Sequence, residues 1–202
     1  MTTTRIILAG ILGGIAMFLW SAFAHMAVPA LGEAGLKELP SQQQQPILAA
    51  LTAGLGDKPG LYLFPGLGVG ENPTKQQKTE AMTHLDERLA NNPSGLLMYH
   101  PTGSRPLTMG KWLTIEFLKE VLEVILAVFL LAQTRIVSFG GRVGFILVVG
   151  IVAAIATNLS YWNWYGFPSV YTAGYMTTQI IGFLCAGLAA AFMLRKSGIP
   201  VT

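Results

Sequence analysis

The chain has 202 residues, of which 52% are hydrophobic and only 11% charged. Soluble domains carry roughly 25% charged residues, so a soluble globular protein is all but excluded, and the hydrophobicity excludes a disordered chain. One cysteine, Cys185, permits neither an internal disulfide framework nor a CxxC zinc or redox motif. The net charge of +3 comes with no basic run, so no nucleic-acid partner is expected. The class that remains is a small integral membrane protein.

About 20 apolar residues span a bilayer core. Residues 6–28 form the first such stretch, with only Ser21 and His25 polar. Arg5, the apolar core and Ala22-Phe23-Ala24 also fit a cleavable signal peptide. The run continues to Val28, longer than most signal cores, so an uncleaved anchor is expected. Residues 29–111 follow, with seven acidic and seven basic side chains, a neutral and soluble composition. Within them a helix is predicted over 41–55, with Pro46 near its first turn and Gly54 and Gly56 at its end. Gly60-Leu61-Tyr62-Leu63-Phe64-Pro65 reads as a short buried strand, and residues 66–70 as a loop. Asn72 at N-cap and Pro73 at N1 open a second helix that ends near Asn91-Asn92-Pro93, and residues 95–99 form a second strand. Two strands around one helix suggest a parallel βαβ unit. So small an insert is expected to lean on the outer ends of the spans.

Residues 112–134 are the ambiguous segment. Glu116, Lys119, Glu120 and Glu123 lie in the first half, and the second half is purely apolar. Residues 143–159 and 171–194 are clean spans, joined by residues 160–170, which carry no charge. Cationic residues collect on the cytoplasmic side of short loops. With residues 112–134 counted as a span, Arg5, Arg135, Arg142, Arg195 and Lys196 all fall on one side. Without it, Arg135 and Arg142 oppose the other three. Four spans are therefore expected, with both termini cytoplasmic and residues 29–111 periplasmic.

The carboxylates at 116, 120 and 123, with Lys119, are spaced to share one helix face. Entering from Trp112, an interfacial anchor, Glu123 is roughly 16 Å along the helix, near mid-membrane. Ionisable groups there cost about 3 kcal/mol or more each and are functional candidates. The stripe admits three roles: an ion or proton site, since carboxylate oxygens suit hard cations; contact with a partner subunit; or charges standing above the membrane against the outer segment. His25, near the outer end of the first span, is a ligand or metal candidate, alone or with Glu116. A haem held by two histidines would need a second membrane histidine, which the chain lacks, and an interfacial hydrogen-bonded His is the plainer reading. His84 and His100 show no HxxH or HExxH spacing. No cofactor is identified. Tyr161-Trp162-Asn163-Trp164-Tyr165-Gly166-Phe167-Pro168 fills the outer loop as an interfacial belt led by Trp162, Trp164 and Tyr165. Asn158, Thr177, Thr178 and Gln179 suit interhelical hydrogen bonds. Gly10-xxx-Gly14, Gly150-xxx-Ala154, Gly182-xxx-Ala186 and Gly187-xxx-Ala191 suit close helix packing or self-association. Phosphate loop, GxSxG elbow and dinucleotide fingerprint are all absent from the sequence.

Trp20…His25…Pro29, Gly60-Leu61-Tyr62-Leu63-Phe64-Pro65, residues 95–101 and Trp162-Asn163-Trp164-Tyr165-Gly166-Phe167-Pro168 together resemble a group of uncharacterised bacterial four-helix inner-membrane proteins with a periplasmic insert after the first helix. The resemblance covers nearly the whole chain. It implies topology and brings no catalytic residue.

The expected fold is thus an all-α transmembrane bundle of four helices with a small α/β periplasmic insert, in the bacterial inner membrane. The expected function is that of a non-catalytic membrane subunit or scaffold docking on a larger respiratory or photosynthetic type of complex. The alternative is a proton- or cation-handling protein using the stripe from Glu116 to Glu123. Expected partners are the lipid bilayer and other membrane subunits or a second copy.

Overall fold

The structure is a computed structural model and describes residues 2–70 and 72–195. Lys196, one of the flanking cations named above, lies outside the described residues. Among the described residues there are eight helices and one two-stranded sheet: α1 (Thr3–Ala27), α2 (Pro29–Gly32), α3 (Ser41–Leu55), β1 (Gly60–Phe64), α4 (Lys75–Met82), α5 (Leu85–Asn91), β2 (Gly95–Tyr99), α6 (Met109–Ala132), α7 (Phe139–Tyr165) and α8 (Ser169–Met193). They divide into two compact units, Glu38–Leu107 and the residues on either side of it.

The helical unit is built on α1, α6, α7 and α8. Three of these, α1, α7 and α8, are long and apolar enough to cross a membrane. With 24 residues, α6 is about 36 Å long, but it carries Lys111, Glu116, Lys119, Glu120 and Glu123. Local chemistry sets the helix ends. Ser138 caps α7 by accepting a hydrogen bond from the Gly141 N–H at 3.2 Å. α7 stops where Gly166 adopts the left-handed conformation, φ 67°, that a side chain disfavours. Pro168 then precedes the first turn of α8.

Pairings across the helices fix their order. A Cβ on Gly10 would lie 2.6 Å from the Ile125 Cα, and one on Gly14 would lie 2.5 Å from the Val121 Cα. Phe18 meets Phe117 edge-on at 5.4 Å. As the α1 number rises, the α6 number falls, so the two run antiparallel. On its other flank α1 meets α8 in the same sense, Gly13 against Ala186 and Ala190, and Met17 and Trp20 against Gly182. α7 in turn meets α8 through Gly150 against Phe183 and Gly187 against Val143 and Ile146. The main contacts follow the row α6–α1–α8–α7, α6 also touches α7 and α8, and Leu131, Ile146, Phe183 and Ala190 fill the shared core. All four small-residue motifs are buried within this row. Their close approaches are made inside the chain. α2 folds back on the end of α1, where Gly32 lies against Ala24 and His25.

The helical boundaries correct one expectation. Residues 161–165 are not loop: α7 runs through them, because nothing before Gly166 breaks a helix. The aromatic residues line the last turns of α7, and Trp162 Nε1 donates to Ser169 Oγ at 3.1 Å across the joint to α8.

The second unit departs from expectation in four ways. β1 and β2 pair antiparallel, with Gly60 opposite Tyr99 and Phe64 opposite Gly95. A parallel βαβ unit needs its crossover helix to cover one sheet face. Residues 75–91 form two short helices, broken at Thr83 and His84, and neither buries a residue. With no covering helix, the antiparallel ribbon is the better pairing. β1 is exposed along most of its length, not buried. The cap of α4 is Thr74 and not Asn72: Thr74 Oγ1 accepts from the Gln77 N–H, and Gln77 Oε1 accepts from the Thr74 N–H, closing a capping box. α3 and β2 have the predicted bounds.

Candidate functional site

The stripe on α6 divides into a packed part and an open part. At about 100° per residue, Glu116 and Glu123 lie within about 20° of each other, with Glu120 about 40° to one side and Lys119 about 60° to the other. The side of Glu120 continues into Val124, Val128 and Leu131, all buried. Glu120 is therefore carried into the helix packing, only 1% exposed, while Glu116 and Lys119 stay on the open side and Glu123 is half-buried between them.

α1 supplies the partner for Glu120. Ser21 lies seven residues beyond Gly14, on the same face of α1, and its Oγ donates to Glu120 Oε1 at 2.6 Å. Among the described residues, the other carboxyl oxygen, Glu120 Oε2, is buried with no hydrogen-bond partner, and so are Glu123 Oε2 and Thr178 Oγ1. The neighbouring residue Trp20 reaches the opposite way, its indole N–H donating to the Thr178 carbonyl at 2.9 Å. Further along α8, Gln179 Oε1 accepts from Asn158 Nδ2 at 3.4 Å, while the same amide donates to the Ala154 carbonyl at 2.9 Å. A polar layer thus crosses the row from Glu120 through Ser21 and Trp20 to Thr178, Gln179 and Asn158.

On the open side, Lys119 Nζ donates to Glu116 Oε1, and both side chains are nearly half exposed. Around this pair α6 presents exposed large apolar side chains, Ile115, Leu118, Leu122 and Leu126.

His25 is exposed at the end of α1, its ring edge-on to Tyr175 of α8 at 6.4 Å. Among the described residues no group of three or more His, Cys, Asp and Glu side chains is placed to hold a metal ion. Trp164 is 78% exposed, and Trp162 and Tyr165 are exposed beside it. Cys185 is a free thiol of intermediate exposure.

The structure therefore brings Glu120 together with Ser21, and Glu116 with Lys119. Sequence reasoning does not find Ser21 as the carboxylate's partner, although the seven-residue step from Gly14 carries that signal. It also does not find the Trp20–Thr178 link. The chain matches no protein-family model, no curated protein and no solved structure.

Proposed function

We propose that this chain is a four-span inner-membrane subunit that docks on a larger membrane complex through the open face of α6. The observation that carries the reading is the Glu116–Lys119 pair on the exposed side of α6, with the half-buried Glu123 beside it. α6 lies antiparallel along α1 from Gly10 to Ser21, so a bilayer crossed by α1 encloses this length of α6 as well. Charged groups facing lipid at such depth are costly, and a partner helix carrying complementary polar groups removes that cost. The positive-inside pattern supports the same topology, with residues 29–111 periplasmic. The small-residue motifs are already occupied within the chain, which favours a different protein over a second copy. The role is scaffolding and not catalysis.

The test is extraction from native membranes in mild detergent, followed by native mass spectrometry, an absorbance spectrum and metal analysis. Partner chains in fixed ratio, lost from the variant with both Glu116→Gln and Lys119→Gln, support docking. A lone monomer contradicts it.

One observation favours a second reading. Glu120 is enclosed by protein and, among the described residues, has one oxygen without a partner. A carboxyl so placed in a membrane bundle suits a proton relay, with Glu123 one turn further along. The Glu120→Gln variant, reconstituted in liposomes, would then keep its fold and its partners but lose proton flux.

A further inference from the structure

The end of the bundle opposite the polar layer carries a second feature. The turn from α6 to α7, the first turn of α7 and the last turn of α8 enclose a cleft of about 720 Å³ lined by Val137, Phe139, Arg142 and Arg195. Two arginines meet there and, among the described residues, no carboxylate lines the cleft. Both arginines are held in place by the fold. Arg142 Nη1 donates to the Leu194 carbonyl at 2.6 Å, which ties the start of α7 to the end of α8. The Arg195 guanidinium lies over the Phe139 ring at 5.2 Å and near the Phe192 ring at 5.8 Å. The cleft also opens beside the N-terminus of α7, whose dipole adds partial positive charge. Its remaining wall is apolar and open: Val137 is 79% exposed, and Phe139 is exposed.

We propose that this cleft binds the headgroup of an anionic phospholipid. The two guanidinium groups take the phosphate, where planar N–H forks match phosphate oxygens. Val137 and Phe139 take the first part of an acyl chain. The occupant is a lipid and not a soluble anion, because half of the lining is apolar and exposed. The location agrees: α7 starts and α8 ends at the cleft, and both are long and apolar enough to cross a membrane, so it opens at headgroup level. Basic pockets between helices at that level recognise anionic headgroups. The cleft keeps this position whether or not α6 crosses the membrane and whatever docks on α6.

The experiment is native mass spectrometry of the full chain from nanodiscs containing equal phosphatidylglycerol and phosphatidylcholine. The expected result is retention of phosphatidylglycerol in preference to phosphatidylcholine, at one lipid per chain. Arg195→Gln is expected to weaken that retention by about five-fold, the effect of one arginine near an anionic surface, and Arg195→Lys to restore part of it. Lys75→Gln, in α4, is expected to leave it unchanged. Equal retention of the two lipids would overturn the proposal, as would an Arg195→Gln variant that binds like the parent. Displacement of the lipid by millimolar inorganic phosphate alone would also overturn it, by showing that the site takes a soluble anion. Arg142 is left intact, since it also closes the end of α8.

Discussion

Ser21 and Glu120 form a side-chain hydrogen bond between α1 and α6. The hydroxyl satisfies one carboxyl oxygen, and among the described residues the other is buried without a partner. Removing the hydroxyl in Ser21→Ala should strand both oxygens and lower stability in detergent by about 1–3 kcal/mol, read from thermal unfolding. Glu120→Gln keeps the acceptor and the volume, and should stay within about 1 kcal/mol of the parent. A Ser21→Ala variant as stable as the parent would show that the contact contributes nothing. Sequence spacing places Glu116, Lys119, Glu120 and Glu123 on one side of a helix, and the structure agrees. Spacing cannot say which of them a neighbouring helix covers. That depends on how α6 seats on α1: Ile125 and Val121 lie against Gly10 and Gly14, and this seating brings Glu120 to Ser21.

Glycine positions separate packing from propensity at the level of the elements. Gly14 is pressed against the α6 backbone, whereas a Cβ on Gly144 would meet nothing within 4 Å. Gly14→Ala should therefore force α6 outward and cost about 1–3 kcal/mol. Gly144→Ala should be neutral or stabilise α7 by up to about 1 kcal/mol. Unfolding both variants in mixed micelles checks the contrast, and equal effects would contradict the helix order. In the smaller unit, Thr74→Ala should cost α4 about 1 kcal/mol through the lost capping box, seen as faster amide exchange confined to residues 75–82. The three long apolar helices, α3 and both strands are legible in the sequence because continuous apolar runs, Gly ends and β-rich pentamers are local signals. The strand direction is not. It is decided by whether residues 75–91 can cover a sheet, and the break at Thr83 and His84, which no Pro or Gly marks in the sequence, leaves two short helices that bury no residue. The end of α7 is misjudged for a different reason: a run of aromatic residues suits a membrane interface equally well as loop or as helix, and the breaker is Gly166.

For the whole molecule, the proposed function rests on α6 crossing the membrane beside α1, α7 and α8. Composition alone qualifies three of the four helices, while the antiparallel seating of α6 along α1 and the placing of Arg135, Arg142 and Arg195 both argue for the fourth. If α6 crosses, the exposed Glu116–Lys119 pair needs a partner. The most direct test is labelling with a membrane-impermeant maleimide in intact, inner-membrane-derived vesicles of known orientation, using a Cys185→Ala background. One variant carries Thr79→Cys in α4 and the other Val137→Cys in the turn between α6 and α7. Four spans predict that the two positions are labelled from opposite sides of the membrane, and labelling of both from the same side would contradict them.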